Sequence, residues 1–287
     1  MEKFDVIIVG AGLAGLAAAY TLAPKGLEVL VLERGDYPGA KNVTGGRIYL
    51  NPVRDLFPNL FDNAPFERFI AHEGVTIMAG ERSMTINYEG NELAKEPYQS
   101  FSILRSKFDR WFAEQVETKG AMILGRAKVD DVLFDEGNVV GVIAAGDELH
   151  ADVVIACDGV LALIAEKAGL RRIGMPKDFA VGFKEIIELG PEIIEERFNL
   201  EGDEGLARIY MGEVTKGKFG GGFLYTNKNS LSLGMVVGIA DLMEPPEIEA
   251  PVLLEEFKKR PEIARLIKGG QTVEYSARVI PEVGFKT

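Results

Sequence analysis

The strongest constraint on how this chain can fold lies in residues 5–34. Residues 6–9 form a short apolar run, and Gly10, Gly12 and Gly15 follow it. Residues 13–23 are compatible with a helix, Gly26 comes next, and a second apolar run at 29–32 ends on Glu33 and Arg34. A strand, a glycine turn, a helix and an acid-tipped strand in that order make the pattern of a dinucleotide-binding βαβ unit. Each glycine has its own reason to be there. Gly10 permits the tight turn out of the strand, Gly12 lets backbone approach a pyrophosphate, and Gly15 brings the helix close to the sheet. The pyrophosphate then meets free N–H groups at the helix N-terminus, where the dipole favours negative charge. Glu33 lies 23 residues after Gly10 and can accept hydrogen bonds from both adenosine ribose hydroxyls. The same acid repels a 2′-phosphate and disfavours NADP. The unit leaves FAD and NAD both open.

Composition bounds the rest. The chain has 287 residues, 47% hydrophobic and 26% charged, enough for a sizeable core and two domains. A formal charge of −12 argues against nucleic acid, which needs clustered Lys and Arg, and against electrostatic docking on anionic lipid. Residues 1–5 run directly into the first strand without a signal peptide, and no apolar stretch reaches the roughly 20 residues of a membrane span. The single Cys157 excludes an internal disulfide and an all-cysteine metal site, and His72 and His150 alone cannot make a multi-histidine one. The expectation is a cytoplasmic α/β chain that meets a membrane, if at all, from the side.

Residues 35–47 hold four glycines and one proline and read as a loop that lies against something. Residues 75–88 read as a strand pair around Gly80 and Glu81, and 105–117 as an amphipathic helix bearing Phe108, Trp111, Phe112 and Val116. Strands are expected at 121–124, 127–134, 139–144 and 151–157, with a hairpin turn at 136–138 and a helix at 160–168. From about Arg172 the pattern changes to strands at 179–188, 208–211, 220–226 and 230–239, then helical stretches at 253–259 and 262–267. This reads as a second domain on an antiparallel sheet.

Several residues in these loops are suited to chemistry. Backbone N–H groups of residues 39–47, with Lys41 and Thr44, can hold an electron-rich ring or its side chain, where the alternative is a plain surface loop. Arg105 heads a helix and can reach a pyrophosphate, oriented by Asp109 one turn on, or the two make an ordinary surface pair. Asp158 closes an apolar strand, placed either to contact the ligand or to cap the next helix. Cys157 reads as a small buried residue. Residues 220–226 either wall a flat ligand or allow close sheet packing, and the apolar stripe at 251–267 is either core or a membrane-facing surface.

Together these residues resemble the FixC-type family, which is related to electron-transfer-flavoprotein:quinone oxidoreductase and more distantly to geranylgeranyl reductases. The resemblance spans the chain. It is carried by the glycine fingerprint with Glu33 and Arg34, by residues 39–47, and by Leu104-Arg-Ser-Lys-Phe-Asp109. It continues in Ala156-Cys-Asp-Gly159, in residues 220–227 and in Val273-Glu-Tyr-Ser276. It implies a Rossmann-like FAD-binding domain (1–74 and 101–171) and an antiparallel-sheet substrate or partner domain (75–100 and 172–287). It also implies that Gly10, Gly12, Ala14, Gly15, Glu33 and Arg34 bind the ADP half of FAD, with Arg105 near the pyrophosphate. Lys41, Asn42, Thr44, Gly45 and Gly46 would lie by the isoalloxazine, and Asp158-Gly159 is the family's Asp-Gly motif. The implied activity is electron transfer from an electron-transfer flavoprotein to a quinone or a ferredoxin-like partner, at the inner face of a membrane, with no catalytic acid or base and no metal. Family members continue past the position of Thr287 into a Gly-Asp segment, so the C-terminal part of the FAD domain is expected to be missing here. Two other readings are a prenyl reductase and, should the shortened chain not hold FAD, a flavin-free docking subunit.

Overall fold

The computed structural model describes residues 3–42, 46–172 and 174–282. Strand β1 (Lys3–Val9) leads into helix α1 (Leu13–Leu22). After one tight turn closing on the left-handed Gly26, the chain returns as β2 (Val29–Leu32), parallel to β1. Strands β3 (Arg47–Tyr49), β4 (Phe69–Ala79), β5 (Arg82–Glu89) and β6 (Ser100–Ser102) precede helix α2 (Arg105–Thr118) and β7 (Met122–Leu124). Strands β8 (Val129–Asp135), β9 (Asn138–Ala144) and β10 (Asp147–Ala156) form a meander. Its two-residue turns, Glu136-Gly137 and Ala145-Gly146, take the positive φ values such hairpins require.

Helix α3 (Leu163–Lys167) is shorter than expected, because the left-handed Ala162 delays its start. Then come β11 (Phe179–Glu188), α4 (Pro191–Phe198), β12 (Glu204–Gly212), β13 (Gly220–Thr226) and β14 (Ser230–Gly238). Helices α5 (Ile239–Met243), α6 (Ala250–Lys259) and α7 (Pro261–Ile267) lead to the long β15 (Gln271–Pro281).

These strands make two sheets. The smaller runs β7-β2-β1-β10-β9-β8, with β7, β2, β1 and β10 parallel and the meander antiparallel. All four residues of β2 are apolar and buried, as a strand covered on both faces requires. The larger sheet runs β15-β11-β14-β13-β12-β4-β6-β3, with β5 on the far side of β4. It is antiparallel except where β12 pairs with β4 in parallel. Those two strands are far apart in sequence, so no hairpin dictates their direction.

The domain limits expected at 74/75 and 100/101 fall inside β4 and β6. The first residues of β4 already pair with Glu204 and Gly205, so hydrogen-bonded partners place both limits within strands of the larger sheet.

Helices α1 and α2 cover one face of the smaller sheet through Leu16, Ala19, Phe108, Phe112 and Val116. In the larger sheet Phe183, Tyr210 and Met235 pack with Leu253, Leu254 and Phe257 of α6 and Ile263 of α7, so the stripe at 251–267 is core. Gly222 leaves room for the Phe257 ring, which would lie 2.9 Å from a Cβ there, and a Cβ on Gly220 or Gly221 would fall 2.0 or 2.6 Å from the carbonyl oxygen of Val236 or Tyr210. Close packing accounts for all three.

Candidate dinucleotide site

The carboxyl ends of β1, β2 and β10 lie side by side, and the first loop of the site leaves from them. The Gly10 N–H donates to the Leu32 carbonyl at 2.8 Å, and the Cys157 N–H to the Val9 carbonyl at 2.8 Å. Gly10 has φ +102°, and a Cβ there would sit 2.4 Å from the Cys157 oxygen. A Cβ on Gly15 would lie 1.9 Å from the Gly10 oxygen, so only glycine lets α1 start this close to the turn. Gly12 differs: a Cβ would meet nothing within 4 Å. It caps α1 with no side-chain bond, and the first helical bond runs from the Leu16 N–H to the Gly12 carbonyl at 2.9 Å. Helix geometry therefore leaves the preceding N–H groups pointing at open space, with Ala14 exposed beside them. This cradle fits a pyrophosphate.

Glu33 stands at the tip of β2. Its carboxylate accepts from the Ala11 N–H at 3.0 Å and the Gly35 N–H at 2.6 Å. These bonds hold it over the glycine turn, and a carboxylate's remaining lone pairs can still accept from a ribose. Arg34 is exposed next to it.

The second loop runs onto helix α2. Gly39 has φ +92°, and a Cβ there would lie 2.9 Å from the Asp109 Cβ and 3.0 Å from the Arg105 carbonyl oxygen. Arg105 donates through Nε and Nη2 to the two Asp109 oxygens at 2.6 and 2.8 Å. Asp109 is fully buried, and Asn42 Nδ2 donates to one of the same oxygens. The Arg105–Asp109 pair matches the i,i+4 expectation, whereas the bond from Asn42 has no signal in sequence.

Lys41 is exposed, and its carbonyl accepts from Arg278 Nε of β15 at 3.0 Å. Gly46 is buried on the ring of Tyr225, whose Cδ2 would be 1.9 Å from a Cβ. Burial pushes the Tyr225 hydroxyl upward, with Tyr49 adding to it and Arg47 opposing. Thr44 and Gly45 lie outside the described residues. Among its described residues, this loop meets α2 through Gly39 and Asn42 and the larger sheet through Lys41 and Gly46.

At the end of β10, Asp158 Oδ2 accepts from the Ile164 N–H at 2.6 Å and so caps α3, while Gly159 is exposed with φ +84°. Cys157 is half-buried, and burial and then Asp158 push its thiol upward, which suits a packing residue. His72 lies 3.4 Å from Glu89 and from Glu204 on the larger sheet. Among the described residues no group of His, Cys, Asp or Glu could hold a metal ion, and no helix is long and apolar enough to cross a membrane.

Residues 3–192 match the family model described as FAD binding domain, and 179–280 match the one described as ETF-QO, ubiquinone-binding. Protein FixC of Escherichia coli K12 is 48% identical over 99% of this chain, and that of Salmonella typhi 50%. A probable electron transfer flavoprotein-quinone oxidoreductase, YdiS of Escherichia coli K12, is 42% identical over the same share. The chain spans 66% of the length of these relatives. Among solved structures, a geranylgeranyl bacteriochlorophyll reductase-like protein from Thermoplasma acidophilum superposes with TM-score 0.78 at 20% identity. That match covers 98% of this chain and 67% of the other. A myxobacterial FAD-dependent chondrochloren halogenase gives 0.73 at 21%, covering 98% and 64%. These two likenesses are of fold. The FAD model covers well over half of the residues on a geometry that fits a dinucleotide: the chain belongs to the FAD-binding domain family, and its cofactor is FAD.

Proposed function

We propose that this chain is the flavin-binding portion of an oxidoreductase that accepts electrons from an electron-transfer flavoprotein and passes them to a quinone. One observation carries the reading. The stretch resembling a ubiquinone-binding family holds β11 to β15, and Arg278 and Tyr225 of that sheet touch the loop that follows β2, at Lys41 and Gly46. The names of the relatives point the same way.

In this reading the first turn of α1, with Gly10, Gly12, Ala14 and Gly15, holds the pyrophosphate, and Arg105 supplies positive charge to it. Glu33 receives the ribose hydroxyls and Arg34 flanks the adenosine. Lys41, Asn42 and Gly46, with Thr44 and Gly45 assigned from sequence, border the isoalloxazine, and Asp158 and Gly159 order the facing backbone. The smaller sheet is the FAD-binding unit and the larger sheet the acceptor unit. FAD supplies the redox chemistry. The chain's own residues bind, orient and fix charge, and none is asked to act as an acid or base.

The test is to purify the chain with FAD, record the absorption of bound flavin, and add a reduced electron-transfer flavoprotein. Bleaching of that absorption and its return on adding a short-chain quinone are expected. Bound flavin that the donor cannot bleach, but that saturates a geranylgeranyl chain, would replace this reading with prenyl reduction. A colourless chain that still binds the donor would make it a docking subunit. A ferredoxin-like acceptor and contact with a membrane surface are decided by the same assay, with ferredoxin or lipid vesicles added.

A further inference from the structure

Lys184 of β11 is the only buried lysine among the described residues, at 5% exposure, and its Nζ has no hydrogen bond or ion pair among them. Its neighbour Glu185 is also buried but is fully engaged, accepting from Lys258 Nζ at 3.1 Å and Thr272 Oγ1 at 2.8 Å. Alternation along the strand sets the direction of Lys184. Phe183 and Ile187 enter the core under α6, and Glu185 reaches Lys258 on α6, so Lys184 projects from the opposite face.

That face is the one met by the dinucleotide loop. Lys184 stands across from Ser276 and from Gly234, while Gly182 stands across from Arg278. Ile186 stands across from Ser232, and Ser232 across from Tyr225. Residues opposite one another share a face. Lys184 therefore lies between Arg278, which holds the Lys41 carbonyl, and Tyr225, which supports Gly46. At Gly234 a Cβ would fall 2.7 Å from the Lys184 Cβ and 2.4 Å from the Phe223 ring, so glycine there keeps room beside the lysine. Burial pushes the ammonium's pKa down, Glu274 of β15 pulls it back up, and Arg105 adds to the depression. A largely buried lysine with no partner among the described residues is costly, and folds keep such groups where a ligand completes them.

We propose that Lys184 binds ligand, its ammonium donating a hydrogen bond to a ring-carbonyl oxygen of a planar conjugated dicarbonyl that lies on this sheet face. Isoalloxazine and quinone share that chemistry. The identity of the ring rests on the function proposed above, whereas the location rests on the burial of Lys184.

Binding of FAD and of decylubiquinone to the wild-type chain, K184M and K184R, each by fluorescence and calorimetric titration, separates the two sources. The expected result is a loss of about tenfold in affinity for one of the two ligands in K184M, largely restored in K184R. Loss for FAD assigns the isoalloxazine, and loss for decylubiquinone assigns the quinone. Unchanged affinity for both, or no binding of either by the wild-type chain, overturns the proposal. Urea midpoints read alongside distinguish a structural lysine, which would lower stability in K184M and leave affinity untouched in the folded protein. Should K184M not fold, K184Q is read in the same way. Flavin bound through Lys184 yet not bleached by the donor flavoprotein would sink the electron-transfer reading and leave this one standing; flavin bleached normally in K184M, with both affinities unchanged, would do the reverse.

Discussion

A single methyl group separates the glycines of the first turn by role. At Gly10 it would require φ +102° of an L-residue and sit 2.4 Å from a carbonyl oxygen. At Gly12 it would meet nothing. G10A is therefore expected to lower the unfolding free energy by about 3 kcal/mol, and G12A to change it by less than about 1 kcal/mol, both read by urea denaturation. FAD affinity should show the opposite emphasis for Gly12, whose open side is where a pyrophosphate approaches. A G12A chain as unstable as G10A would show that Gly12 is a packing residue. Asp109 illustrates a different residue-scale device: one fully buried carboxylate receives both Arg105 and Asn42, and so fixes a cation and a loop together.

Among the elements, β12 makes the clearest prediction. Tyr210 is 1% exposed, packed edge-on against Phe257, and its hydroxyl has no partner in hydrogen-bond geometry among the described residues. Burial pushes its pKa up to about 12, with Arg208 only partly opposing. The unfolded chain titrates this group near pH 10, so its contribution to stability is complete below that pH and is lost as pH rises from about 10 to about 12. The loss amounts to about 3 kcal/mol. Y210F should match or exceed wild-type stability at pH 7 and lose that alkaline slope, as measured by urea midpoints from pH 7 to 11.5.

The elements also show what a sequence can reveal. The βαβ unit, the hairpin at Glu136-Gly137 and the amphipathic α2 were legible because period and turn chemistry are local. Strand β15 was not, since its partner β11 lies far away in the chain, and helix α4 is marked only by Pro191 at its start and the left-handed Asn199 at its end. For the same reason Gly10, Gly12, Gly15, Glu33 and the Arg105–Asp109 pair could be named in advance. Lys184 and Arg278 could not, because only sheet register brings them to the loop, and Tyr225 stood out only as part of the stretch 220–226.

At the scale of the whole molecule, the order in which things can happen follows from the register of β1. One edge of that strand pairs with β2 nearby in sequence, but the other waits for β10, where Val9 meets Ala156. Gly10 turns against Cys157. The nucleotide cradle is therefore assembled from chain segments that emerge from the ribosome at very different times, and its closure comes after a long loop has been brought together. A ligand that needs the finished cradle has nothing to hold in the folding transition state. FAD should accordingly slow the unfolding limb of a stopped-flow chevron in proportion to the stability it adds, and leave the refolding limb unchanged. Acceleration of refolding by FAD would mean instead that the β1–α1–β2 segment traps its ligand alone. If the cradle closes late, the cofactor acts on the lifetime of this fold and has no part in its birth.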